Sequence, residues 1–274
     1  MGQAEEALKL FLTKDINEAQ ELTNKLNEYN RIRQDIEKKI FEDAIRKIEE
    51  DNMKDKNCIV LAGENWHHGV IGIVASKITD IYFKPTILIC MEEEEGKGSG
   101  RSIPGFDLHN ALCKSSGHLK KYGGHEMAVG LSLYKEEFEK FKYVFEEHVN
   151  NCNLDEIIPI INIDKQVTNK ELTVENVKDL EKLEPYGELN KCPMFLYKNL
   201  KVDSIRSLTE GKHMKLTLKS DNGNVITAMG FNMGYRAEEF LIGDKVDIVG
   251  TLEINSFNGL ENVQFNLKDI MKSL

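Results

Sequence analysis

The sequence predicts an α/β domain carried behind a long helix and followed by an all-β barrel. Three observations predict it. Apolar residues recur at helical spacing from Leu22 to Ile48. Two short apolar runs flank an amphipathic helical stretch between residues 58 and 91. From about residue 194 onward, only strand-like segments separated by turn dipeptides remain.

The helix comes first. Asp15, with Glu18 three residues later, has the form of a capping box, and Leu22, Leu26, Tyr29, Ile32, Ile36, Ile40, Ala44 and Ile48 then form one stripe. A helix over 17–50 is about 50 Å long at 1.5 Å per residue, more than a small domain needs. It is expected to run between domains, or else to form a two-helix or coiled-coil seam. Leu8, Leu10, Leu12 and Ile16 imply a further body for this end to pack on.

Residues 58–62 and 86–91 read as buried strands joined by a helix over 69–82, with Val70, Ile73, Val74, Ile78 and Ile81 inward, which makes a βαβ unit. A helix is expected from the N-cap Asp107 to about Lys121, stopped by Gly123 and Gly124. A strand near 127–134 and a helix near 135–150 follow. A connecting segment (strand near 157–164, helix near 173–183, turn at Pro185-Tyr186-Gly187) leads to strands at about 194–206, 212–219, 224–231, 245–254 and 260–269. Asp221-Asn222-Gly223 and Asn258-Gly259 are hairpin turns, and a short helical stretch over 235–241 separates the third and fourth strands. That order fits an OB-fold barrel, or a five-stranded sheet of another topology.

Composition sets the outer limits. The formal net charge of −10 argues against coating nucleic acid by bulk attraction. The charge is uneven: residues 1–56 carry 11 basic and 14 acidic side chains, 57–150 carry 10 and 13, 151–192 carry 5 and 9, and 193–274 carry 10 of each. The five cysteines have no C-x-x-C pair and read as reduced thiols. With no apolar run of roughly 18 residues and no signal-peptide pattern, a cytoplasmic location without membrane association is expected.

Three stretches carry chemistry-bearing residues. Gly98-Ser99-Gly100-Arg101-Ser102 follows the second buried strand. Its glycines, hydroxyls and guanidinium suit a phosphate cradle, and they equally suit a flexible loop with a surface arginine. Gly123-Gly124-His125 reads as a helix stop with a structural histidine, or as the second wall of a cleft shared with Arg101. Glu64-Asn65-Trp66-His67-His68 lies between the first strand and its helix, with Trp66 and His67 as cleft candidates. Adjacent histidines are expected to point apart, and Glu92 to Glu95 read as a solvated loop, so no metal site is expected.

The stretches G-E-N-W-H-H-G-V-I-G-I-V-A-S, G-S-G-R-S-I-P-G-F-D-L and Y-G-G-H-E-M-A-V-G-L resemble, in order and spacing, the DHH-associated domain of the RecJ family of exonucleases. N-R-I-R-Q-D-I-E resembles that family's interdomain linker, and L-E-P-Y-G-E-L-N together with M-G-F-N-M-G and L-E-I-N-S-F-N-G extend the likeness through its OB domain. The resemblance covers essentially the whole chain. It implies a linker helix over 1–56, a DHH-associated α/β domain over 57–150, and a connecting segment with an OB domain over 151–274. Glu188-Leu189-Asn190-Lys191-Cys192 departs from the family's glycine- and proline-containing run.

The resemblance further implies a 5′→3′ single-stranded-DNA exonuclease of recombination and repair. Its Mn²⁺ or Mg²⁺ is held by an N-terminal domain named for an Asp-His-His motif. Trp66-His67-His68 lacks the Asp and lies in the wrong domain, so the chain is expected to be a C-terminal fragment, inactive alone, with Met1-Gly2 an introduced start. Ser99, Gly100, Arg101, Ser102, Gly123, Gly124 and His125 would grip phosphates near the scissile bond. In the barrel, Phe231, Tyr235 and Phe257, with Lys212, His213, Lys215 and Arg236, would hold single strand by stacking and charge. The alternatives are a non-catalytic nucleic-acid-binding module and a DHH-family oligonucleotide or cyclic-dinucleotide phosphodiesterase.

Overall fold

The long helix forms because its cap and its stripe agree. The computed structural model describes residues 4–154, 157–257 and 259–273, with the side chain of Phe257 excepted. Among these, α1 (Ala4–Leu12) leads into α2 (Ile16–Glu50), whose first turn is capped by the Asp15 carboxylate accepting the backbone N–H groups of Asn17 and Glu18. The Glu18 carboxylate accepts from the Thr13 hydroxyl instead of reaching back to the cap. The chain divides into two compact units, the first ending at Pro159 and the second beginning at Ile160.

In the first unit, β1 (Ile59–Gly63), α3 (Ile71–Tyr82) and β2 (Thr86–Met91) make the expected βαβ unit, with β1 and β2 parallel in register. The sheet then gains three antiparallel strands, β3 (Glu95–Arg101), β4 (Lys121–His125) and β5 (Ala128–Tyr134), in the order β1-β2-β3-β5-β4. Alternate residues face alternate layers. Cys58, Val60, Ile87, Ile89, Val129 and Leu131 pack on α4 (Leu108–Lys114) and α5 (Phe138–Asn150), whereas Ile59, Leu61, Leu88 and Cys90 pack on α2 and α3. Burial raises the Cys58 thiol pKa to about 12.

Several expectations are corrected. The expected helix to Lys121 ends at Lys114, followed by a single 3₁₀ turn over Ser116–His118; Gly123 and Gly124 lie inside β4 and cap nothing. Ile73 and Ile81 do not face inward; they are 39% and 58% exposed, because the sheet-facing row of α3 is Ile71, Val74, Ala75 and Ile78. Residues 157–164 form no strand, and pairing begins only at β6 (Lys165–Gln166). Leu8, Phe11, Leu12 and Ile16 are exposed in this unit.

In the second unit, α6 (Val174–Leu180) precedes β7 (Phe195–Leu208), β8 (His213–Lys219), β9 (Val225–Gly230), β10 (Lys245–Phe257) and β11 (Leu260–Lys272). A 3₁₀ segment over Gly234–Glu239 follows β9. The β7–β8–β9 meander continues into β11 by parallel pairing, and β10 pairs with both β11 and β7, so the five strands close into an OB barrel. The β10 register slips at Gly250, where a Cβ would meet the Asn266 carbonyl oxygen at 2.3 Å. The Asn258-Gly259 turn falls partly outside the described residues, although Phe257 and Leu260 are paired as a two-residue hairpin requires. No described helix is long and apolar enough to cross a membrane.

The second half of α2 is fixed to α3 by charge as well as by apolar contact. Buried Glu37 takes ion pairs from Arg33 on its own helix (2.5 Å) and from Lys77 of α3. Burial alone would raise its pKa, but the two cations outweigh it and hold the carboxyl below the ordinary range. Its stabilising contribution is therefore present above the ordinary carboxylate pKa and is lost as pH falls through the lowered folded value. Glu37→Gln is expected to lower the melting temperature near neutral pH, and the gap to wild type should close as pH falls from neutral through the lowered folded pKa of Glu37. Melting curves of both proteins across that range check this; a gap that persists in acid would show that geometry, not charge, makes the link.

Candidate functional site: a cationic face on the β3–β5–β4 sheet

The stretch from Glu95 to Arg101 places glycine at every second position, and the structure shows why. β3 is held between β2 and β5, so Gly96, Gly98 and Gly100 face the α4/α5 core. A Cβ on Gly98 would meet Leu131 at 2.8 Å, and one on Gly100 would meet Val129 at 2.7 Å and Leu108 at 3.0 Å. These glycines make room for core side chains. The expected loop cradle is thus a central strand, and Gly100 is buried in it with its backbone in a two-sided ladder. Ser102 is corrected as well: it is buried, and its hydroxyl donates to the Phe106 carbonyl at 2.6 Å.

The intervening residues Lys97, Ser99 and Arg101 face the other way. Arg101 is half-buried, and desolvation lowers its pKa without removing its charge. Its Nη1 donates to the Gly100 carbonyl (2.7 Å) and the Ser99 hydroxyl (3.2 Å), which fixes the guanidinium. Among the described residues, its other N–H groups have no acceptor. Gly72 in the first turn of α3 permits this arrangement, because a Cβ there would lie 2.9 Å from Ser99 Oγ and 3.1 Å from Arg101 Nη2.

Register completes the face. Ala128 of β5 is the partner of both Arg101 and His125, so these two stand in one row, two strands or about 10 Å apart, on the same side of the sheet. The next row is Ser99, Gly130 and Gly123, and the one after is Lys97, Ser132 and Lys121. A Cβ on Gly123 or Gly130 would meet nothing within 4 Å, so a bare backbone floor lies between the cationic rows. His125 Nδ1 accepts the Met127 N–H at 3.2 Å across the β4–β5 turn, which assigns the remaining proton to Nε2 and leaves it as an outward donor. Gly124 allows that turn: its φ is +143°, and a Cβ would lie 2.2 Å from the Ala128 carbonyl oxygen.

The first stretch reaches this face only partly. His67 and His68 stack, with ring centroids 5.0 Å apart, contrary to the expected divergence. His67 Nδ1 accepts the Gly69 N–H, and His68 Nδ1 lies 4.0 Å from Glu92, which also pairs with Lys97. Trp66 is buried: its ring lies against Gly63, its indole N–H donates to Asp43 of α2 at 2.9 Å, and it borders a separate cleft of about 780 Å³ with Lys39, Lys47 and Lys135. Among the described residues, no three His, Cys, Asp or Glu side chains come together as a metal site. Lys97, Lys121, Ser132 and the Gly72 notch were not legible as site residues; the period-two glycines of β3 were the signal that could have shown which residues share a face.

The barrel candidates separate. Phe231 is 48% exposed and stands edge-on to His213, with ring centroids 5.5 Å apart, while Tyr235 and Lys212 are exposed and Lys215 lies on the outer face of β8. Arg236 is removed from the set. Its guanidinium bonds Glu239, Asp269 (2.5 Å) and the Ile270 carbonyl (2.8 Å), and so holds the 3₁₀ segment to β11. The Phe257 side chain lies outside the described residues.

Each of the two units matches a known domain family. Residues 55–151 match the DHHA1 domain model, and residues 163–269 match the RecJ OB domain model. The single-stranded-DNA-specific exonuclease RecJ of Bacillus subtilis is 34% identical over 271 residues, covering 97% of this chain. This chain matches the C-terminal part of RecJ. Thermus thermophilus RecJ is 30% identical over 279 residues, and its crystal structure with Mg²⁺ superposes with a TM-score of 0.80 over 99% of this chain. The chain spans only 34% of the length of B. subtilis RecJ and 38% of that of T. thermophilus RecJ.

The two kinds of glycine should respond differently to a methyl group. Gly100→Ala is expected to destabilise the first unit by about 1–3 kcal/mol through overpacking. Gly130→Ala should stay within about 0.5 kcal/mol, since its side chain would enter open space. Denaturant unfolding of both variants tests this; equal losses would mean that the floor is not open.

Proposed function

We propose that this chain is the DNA-gripping part of a 5′→3′ single-stranded-DNA exonuclease of recombination and repair, acting in the cytoplasm. In the whole enzyme, the divalent ion belongs to the DHH domain in the part of RecJ that this chain does not span. The observation that carries the reading is the row formed by Arg101, Ala128 and His125. It presents a fixed guanidinium and an imidazole N–H on one side of a sheet, beside a floor formed by Ser99 and the bare glycines 130 and 123. An anion can be held there by directional donors, and a sugar-phosphate backbone can lie flat against Gly123 and Gly130.

Mn²⁺ or Mg²⁺ would supply Lewis-acid chemistry in the whole enzyme. Among the described residues, no cluster of His, Cys, Asp or Glu fits such an ion. The chain's own residues bind and orient. Arg101 neutralises a phosphate and, pinned by Ser99 and the Gly100 carbonyl, loses little freedom on binding. His125 donates from Nε2 to the same or the adjoining phosphate. In the barrel, Phe231, Tyr235, Lys212 and Lys215 would hold strand by stacking and charge, and so supply most of the affinity.

In the full-length enzyme, Arg101→Ala is expected to reduce turnover about a hundredfold or more with an unchanged melting temperature. Unchanged cleavage would remove Arg101 from the site. His125→Ala should behave alike; a lowered melting temperature with normal cleavage would make that histidine structural. The present chain should bind single strand with a log–log salt slope of about −0.7 per phosphate neutralised. It should release no label from a 5′-labelled strand with Mn²⁺. Cleavage that co-purifies with it and vanishes in Arg101→Ala would overturn the division of labour.

A further inference from the structure

The open face continues beyond the row of Arg101 and His125. Lys97 and Lys121 stand in register through Ser132, four residues along β3 from Arg101, or about 14 Å. That is farther than one nucleotide step can stretch. Two residues beyond, Tyr134 is paired with Glu95, about 20 Å from Arg101. Alternation puts the Tyr134 side chain on the same face as Ser132. It is 47% exposed, at the end of a strand whose Val129, Leu131 and Leu133 are buried on the other face. Lys120 Nζ lies 5.1 Å from the ring centroid and also pairs with Glu95, and the ring itself borders a small cleft lined by Glu93, Glu94, Lys135 and Glu136. Lys97 shares a solvent-exposed pair with Glu92, a contact easily exchanged for a phosphate; among the described residues, Lys121 has no ion-pair partner. The floor between the two rows carries only the Ser99 side chain and the glycines 130 and 123.

We infer that this end of the sheet is a second subsite for single-stranded nucleic acid. Lys97 and Lys121 take a phosphate two steps from the one held by Arg101 and His125, and Tyr134 stacks a base at that distance. The inference deepens the proposed function and rests on it. The cations point to the class of occupant: in a chain of net charge −10, Arg101 and His125 stand at one end, and Lys97 and Lys121 at the other, of a strip whose one side chain is that of Ser99. The exposed ring suits an occupant with a flat apolar surface as well as phosphates, which a free phosphate or an acidic peptide lacks. The consequence is a length threshold. A dinucleotide reaches only the first row, whereas a strand of about three nucleotides or more engages both rows and the tyrosine.

The test uses the whole 274-residue chain and 5′-phosphorylated oligothymidylates with 5-iodouracil at the third nucleotide, photo-cross-linked and mapped by peptide mass. Cross-links at Tyr134 are expected, with yield reduced about tenfold in Tyr134→Leu and in the double variant Lys97→Gln/Lys121→Gln, and retained in Tyr134→Phe. These positions are exposed, so circular dichroism should show each variant folded. Cross-links near Arg101 and His125 that spare Tyr134 and ignore the lysine variants would overturn the second subsite and leave the grip standing. Cross-links confined to residues 163–269 and unaffected by Arg101→Ala would overturn the grip as well.

Discussion

The structure depends on one register. Because Ala128 of β5 lies opposite Arg101 on one side and His125 on the other, two residues distant in sequence are fixed in a single row on one face of the sheet. A slip of one residue in either ladder would send one of them into the core. The register is itself held from the opposite face, where Gly96, Gly98 and Gly100 admit Ile89, Leu131, Val129 and Leu108, an arrangement that bulkier residues at those positions would not allow. The same alternation that packs the core therefore aims the cations. Helix α3 presses on the edge of this face, with Gly72 giving Ser99 and Arg101 room to lie against it, and the floor at Gly123 and Gly130 stays open.

Much of this was legible in the sequence where period and cap agreed. The Asp15 cap, the stripe of α2, the βαβ unit and the five barrel strands with their intervening helical stretch all appear within a few residues of where the pattern puts them. The errors share a cause. Glycine signals turns and helix ends because it tolerates unusual backbone angles, yet in β3 it is selected for having no Cβ inside a packed layer, and in β4 it serves partly as bare floor. A stretch such as Glu95–Arg101 carries almost no strand propensity, so tertiary pairing to β2 and β5 decides its form. Similarly, the isoleucines over 157–163 look like a strand but have no ladder partner among the described residues.

The candidate site was legible as residue types and not as geometry. Arg101, Ser99 and His125, three of the candidates, share a face. Gly100, Ser102, Trp66 and Arg236, also candidates by type, turn inward or into structural bonds. Sequence alone does not tell an arginine held by structural bonds, as Arg236 is by Glu239 and Asp269, from one with N–H groups left over, as Arg101 has among the described residues. Lys97 and Lys121 escaped notice because an isolated lysine in a charged surface has no signature until register places it beside another cation. In the proposed function two surfaces divide the work, the barrel holding strand and the sheet face fixing where its phosphates lie.

The most direct measurement is amide chemical-shift mapping of this chain titrated with a short 5′-phosphorylated oligothymidylate. If the sheet face is the phosphate grip, the amides of Ser99, Arg101, Gly123, His125 and Gly130 move together and saturably, and Arg101→Ala suppresses their movement. Shifts restricted to the barrel strands, with those five amides unmoved at saturation, would contradict the account.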